Sequence, residues 1–161
     1  MRKKVLSRWT VSGGRFAMVV CSALIAATTT AAATPGGSNL IRNPTGGYSL
    51  RTVEVPPGSR LLYVSGQTAT DERGQTPADV ELQAEIVYQK LQRALADAGM
   101  SMQDLVKTTV YLLDPSDLPA LIKAGRKYNP GGQQAGTLVY VKALALPEVR
   151  IEIEAVAARR D

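Results

Sequence analysis

The C-terminal stretch of the chain carries two carboxylates, Glu152 and Glu154, two positions apart. Residues at that spacing on a β-strand project from one face. They form either a solvated edge or the polar wall of a cleft, and the alternation taken alone favours the solvated edge. The alternate positions Val149, Ile151, Ile153, Ala155 and Ala157 make the opposite, apolar face. The 161-residue chain has no His, and its one Cys is Cys21. A Ser-His-Asp triad, a Cys nucleophile and a disulfide are thereby excluded from the rest of the chain. Zinc, copper or iron would have to be held by carboxylates alone, so no metal site is expected. Chemistry is left to Asp, Glu, Lys, Arg, Tyr, Ser, Thr, backbone groups and water.

Charge is unevenly placed. Of the 19 Lys and Arg, five (Arg2, Lys3, Lys4, Arg8, Arg15) precede residue 35, where there is no acid. The remaining 14 bases meet 14 acids, so the body has no net charge. That is not the electrostatic footprint of a nucleic-acid binder, and no nucleic-acid partner is expected. Residues 1–33 read as an export signal. A basic start is followed by the 11 apolar residues Ala17 to Ala27, and Ala31-Ala32-Ala33 offers small residues for cleavage. The competing reading is a retained anchor, but a bilayer asks for about 20 apolar residues. The expected destination is the periplasm or the exterior, with no membrane attachment after cleavage.

The elements that position the acids follow from pattern. Residues 34–47, rich in Pro, Gly, Ser and Asn, read as a flexible lead-in. One domain of about 115 residues follows, over 48–160. Residues 48–55 and 60–66 read as two strands of a hairpin around Pro56-Pro57-Gly58-Ser59. Thr76-Pro77 signals a helix start, Val80, Ala84, Val87, Leu91, Ala94 and Ala98 form one stripe, and Gly99 ends it. Residues 105–113 read as a strand. Asp114-Pro115-Ser116-Asp117 opens a second helix running to about Lys127, with Pro119 tolerated in its first turn. Residues 137–145 and 149–158 read as two further strands. The order ββαβαββ gives an α+β domain, a mixed sheet with two helices on one face.

Four of these segments resemble the Rid family of reactive-intermediate deaminases, the YjgF-like proteins. They are Val64-Ser65-Gly66-Gln67, Thr76-Pro77-Ala78-Asp79, Val106-Lys107-Thr108-Thr109-Val110-Tyr111, and Arg150-Ile151-Glu152-Ile153-Glu154-Ala155. The resemblance covers about residues 45–160. It implies a chorismate-mutase-like fold, a homotrimer, and small-molecule clefts built between two chains. It also implies hydrolysis of imines and enamines to a carbonyl compound and ammonia, without a cofactor. By the same resemblance Glu152 matches the acid that positions water. Gly66 matches the glycine whose amide holds substrate, and Tyr48 the aromatic residue at the cleft edge.

The departures from the family are as informative. Active deaminases carry an arginine fifteen residues before that glutamate, and the count back from Glu152 lands on Thr137. The family's frequent cysteine two positions later is Val139 here, and the asparagine of the second helix is Ile122. An arginine grips a carboxylate through two parallel charged hydrogen bonds. Exchanging that fork for one hydroxyl weakens binding by about 2–4 kcal/mol, or about 30- to 1000-fold. Arg126, Lys127 and Arg150 are the candidate replacement cations if the chain geometry allows them. Lys142 is set aside because it would project oppositely from Thr137 on one strand, and Lys107 is assigned no role. Two functional readings stay open. One is an exported deaminase of reduced or altered substrate range; the other is a non-catalytic trimeric protein that binds a small molecule.

Overall fold

The computed structural model describes residues 40–44 and 50–160. The export signal over 1–33, most of the lead-in and Tyr48 lie outside the described residues. Six strands and two helices follow in the order β1 (Leu40–Pro44), β2 (Leu50–Glu54), β3 (Arg60–Thr68), α1 (Val80–Asp97), β4 (Leu105–Leu112), α2 (Leu118–Tyr128), β5 (Ala135–Tyr140), β6 (Ile151–Arg159). The expected ββαβαββ order is present, with one strand added in front. Leu40–Pro44 falls in the segment read as flexible lead-in. Its alternation is short and broken by Asn43 and Pro44, so its strand character comes from pairing with β2.

The sheet runs β1-β2-β5-β4-β6-β3 and is mixed, β4 and β5 being parallel and β4–β6 and β6–β3 antiparallel. Its continuous part is β5-β4-β6-β3. The β1–β2 pair joins at the β5 side through Leu50 and Ala135. The expected hairpin between residues 48–55 and 60–66 does not form. Ser59 turns back on Pro56 as expected, its N–H and hydroxyl both donating to the Pro56 carbonyl. The turn leads β3 to β6 instead, in a ladder from Arg60–Arg159 to Thr68–Glu152. A tight turn fixes a change of direction, whereas the partner is chosen by the matching apolar face, and long β6 offers that face to β3.

Helix α1 starts later than Thr76-Pro77 implies. Asp79 is its cap, accepting from the Glu81 N–H at 2.9 Å. Thr76 is engaged with Thr70 instead, and the Pro77 carbonyl accepts from Gln83. Ala84, Val87, Leu91 and Leu95 are fully buried against the sheet. Gly99 adopts φ +69°, the left-handed conformation that ends a helix cheaply only at glycine. Asp114 caps a single 3-10 turn, Pro115–Asp117, that runs into α2, and Pro119 sits in the first turn of α2. The core lies between the helices and one sheet face, where Val110, Leu112, Ile151, Ile153, Ala155 and Ala157 are buried. β5 stops at Tyr140, short of the expected Ala145, so Lys142 is beyond it.

Candidate functional site

Alternation along the strands decides which residues face away from the helices. On β4, Val106, Thr108, Val110 and Leu112 are buried, while Lys107, Thr109 and Tyr111 are half-buried on the other face. On β6, Glu152, Glu154 and Val156 share that outer face with them. Register then fixes the neighbours. Tyr111 stands between Val139 and Glu152, and Thr109 between Thr137 and Glu154. The two acids therefore line one face, as the sequence spacing requires.

Glu152 lies directly over Gly66. A side-chain carbon at Gly66 would stand 1.8 Å from Glu152 Oε1 and 2.7 Å from its Cδ. The β3–β6 ladder breaks between Val64 and Gln67, so Gly66 sits in a bulge opposite the acid. Bulges of this kind re-aim backbone groups out of the regular ladder. Glu154 is held otherwise, accepting from the Tyr111 hydroxyl at 3.4 Å. Loss of hydration first, then the charge of Glu154, raises the Tyr111 phenol above its ordinary pKa.

Thr137 is not alone on this face. Lys107 Nζ donates to Thr137 Oγ1 at 2.5 Å and to the Thr108 carbonyl at 3.0 Å. Sequence alone assigns Lys107 no role; its approach to Thr137 depends on the parallel β4–β5 register. No local pattern encodes that register. Thr137 and Glu152 lie two strands apart and one residue pair along, about 12 Å between backbones at ordinary strand spacing. Val139 shares the outer face and is 38% exposed.

On the other side of β5 a groove of about 640 Å³ runs between that strand, α2 and the loop after α2. Ile122, Arg126, Asn129, Gln134 and Thr137 are among its lining residues. Ile122 and Thr137 thus meet in one groove, while Gly66 and Glu152 meet on the outer face. Thr137, on the exposed run of β5, borders both. Tyr88 also lines the groove, and burial pushes its phenol up to about 12. Asn129 donates to Gln134 at 3.1 Å, holding the loop that forms the rim.

The candidate cations separate clearly. Arg150 is taken by Asp117, which is 1% exposed. Its Nε donates at 2.9 Å and its Nη2 at 2.5 Å to the two carboxylate oxygens. Lys127 pairs with Glu85 at 2.9 Å and lies over the Tyr128 ring. Arg126 is exposed at the groove and makes no ion pair among the described residues. No cluster of three or more metal-ligating side chains occurs among the described residues.

With this geometry in place, comparison with known proteins is specific. The family model described as Endoribonuclease L-PSP matches residues 41–159. The 2-iminobutanoate/2-iminopropanoate deaminase of Escherichia coli is 33% identical over 104 residues, covering 62% of this chain and 80% of that protein. The solved Rid-family protein YyfB of Yersinia pestis superposes with a TM-score of 0.65 at 30% identity, covering 74% of this chain and 98% of that one. TdcF of Escherichia coli, solved with bound serine, superposes with a TM-score of 0.58 at 29% identity, over 65% and 84% of the two chains.

Proposed function

This chain belongs to the Rid, YjgF or L-PSP family, and from that premise we propose that it is an exported deaminase. In this reading it hydrolyses imines or enamines to a carbonyl compound and ammonia, with a substrate range altered from that of the imino-acid deaminases. Homology to reactive-intermediate deaminases supports the reaction class. The observation that carries the site is the Glu152 carboxylate over Gly66 on an open sheet face.

The chemistry needs only water and one acid–base group. Glu152 orients a water and takes its proton as the oxygen bonds to the imine carbon. The same proton passes to nitrogen to give a carbinolamine; Glu152 then takes the proton of the new hydroxyl and returns it to nitrogen, so that the carbon–nitrogen bond breaks and ammonia leaves as the carbonyl forms. Each step is proton transfer by a positioned carboxyl group. The Gly66 amide holds the substrate. No cofactor is invoked.

The proposal includes association of three copies. Leu61, Tyr63 and Val139, exposed on β3 and β5, supply apolar surface for it. A cleft between copies would bring the groove of one chain near the outer face of another, uniting residues that lie apart in a single chain. Thr137 in place of the guanidinium fork supports altered specificity, and the basic, then apolar leader over 1–33 supports export.

The alternative, a binding protein without chemistry, is favoured by the groove, whose size suits a small molecule and whose lining holds no carboxylate. The deciding assay generates 2-iminopropanoate in situ and follows its hydrolysis by the purified protein and by Thr137→Arg. The expected result is slow hydrolysis by the parent and a gain of about 10-fold or more in the variant, from the fork it restores. Efficient hydrolysis by the parent, matched by the variant, removes the claim of altered range. Failure of both to exceed the uncatalysed rate favours binding alone.

A further inference from the structure

We infer that Lys107 and Thr137 together form a carboxylate-binding pair on the outer face of the sheet, and that Lys107 is the specificity-determining cation of this protein. An ammonium has three donors and no acceptor. Two of the Lys107 donors are engaged, one by the Thr108 carbonyl and one by Thr137 Oγ1. The third is left, with the full charge. Since Nζ can only donate, Thr137 Oγ1 is the acceptor in that contact, and its own hydroxyl proton is turned to another partner. The described residues supply none.

Two donors, one of them charged, thus stand side by side 2.5 Å apart. A carboxylate, with two oxygens at matching separation, satisfies both at once. Nothing among the described residues pre-empts them. Lys107 makes no ion pair among the described residues. Its diagonal neighbour Glu154 is turned to Tyr111 instead. Lys107 is only half-exposed, so its charge is less screened than that of a free surface lysine.

The face suits the ligand class. By strand spacing Glu152 lies about 12 Å from Thr137 and about 14 Å from Lys107, backbone to backbone. Lys107 Nζ leans over β5 to Thr137 and the Glu152 carboxylate lies over Gly66 of β3, so the face between them, lined by Thr109 and Tyr111, is left for the body of a small ligand with its anionic group at the lysine. A point charge plus a hydroxyl holds such a ligand less rigidly than a planar guanidinium fork. Carboxylate recognition is thereby kept and its geometry loosened. The inference rests on the proposed reading for the placement of Glu152, and not for the anion grip itself.

The test separates the two. Binding of pyruvate and of its neutral amide, pyruvamide, is measured by calorimetry on the parent, Lys107→Met and Thr137→Val. The parent is expected to prefer pyruvate by about 10- to 100-fold, the worth of one charged hydrogen bond. Lys107→Met brings the ratio near one while pyruvamide binding stays. Thr137→Val lowers it partway, and Lys107→Arg keeps a preference. A general structural defect would weaken both ligands together and leave the ratio unmoved. An unchanged ratio in Lys107→Met, or no pyruvate binding by the parent, overturns the inference. A parent that prefers pyruvate yet hydrolyses no imine leaves the pair standing and removes the deaminase reading alone.

Discussion

Replacing Gly66 by Ala perturbs the candidate site at one atom. The added carbon would stand 1.8 Å from Glu152 Oε1, 2.7 Å from Cδ and 3.0 Å from Cγ. Ordinary contact between such atoms is about 3.5 Å, so the carboxylate oxygen must retreat by about 1.5–2 Å. The Glu152 side chain is long and half-exposed, and it can turn outward. The backbone at Gly66 is outside the left-handed region, so alanine is tolerated there. The fold should keep its stability within about 1 kcal/mol, the gain from a stiffer unfolded chain offsetting the local crowding. Activity should not survive as well, since a misplacement of about 1 Å can cost 100-fold. The measurement is kcat/KM for in situ generated 2-iminopropanoate beside the melting temperature. Loss of about 100-fold with an unchanged melting temperature is expected, and Glu152→Gln should lose at least as much. Parent-like turnover in Gly66→Ala would refute the placement of the reacting water between Glu152 and this bulge.

Two further outcomes bear on the framework. Arg150→Ala strands the buried Asp117 carboxylate and should destabilise the fold by about 2–4 kcal/mol in denaturant titration. That lies toward the low end for a buried pair because the Arg150 side chain is 38% exposed. Tyr88 is favoured neutral in the folded state, with its pKa at about 12 against 10.0 for an unburied phenol. The folded state therefore holds the proton longer. The contribution is complete below about pH 10, declines as pH rises toward 12, and amounts to about 2–3 kcal/mol. Tyr88→Phe should flatten that alkaline decline, and an unaltered slope would show that the phenol stays hydrated.

What could be read in advance follows a physical divide. The stripe on α1 and the two faces of β6 are periodic, so their burial was legible, and so was the sharing of one face by Glu152 and Glu154. The cap of α1 was misplaced by three residues because Thr76 and Asp79 are both good cap residues. Only geometry shows that Thr76 is spent on Thr70. Strand partnership was the weaker point. The turn at Pro56–Ser59 is local, whereas the β3–β6 and β4–β5 ladders join residues far apart in the chain. For the same reason Lys107 was assigned no role. Its meeting with Thr137 arises from register across two strands, and its spacing in sequence carries no sign of it. Arg150, a candidate for the ligand, proved to be committed to Asp117.

β5 leaves one more consequence. Beyond Ala135, the strand has β4 on one side and no sheet neighbour among the described residues on the other. Residues 136–140, Gly-Thr-Leu-Val-Tyr, are all exposed, uncharged and free of proline. Such a rim is a template onto which any extended peptide can zip through its main chain. The chain by itself is therefore adhesive along the very strand that borders its candidate site. A strand laid along this rim would shield the chain from clumping and would also frame the groove beside it.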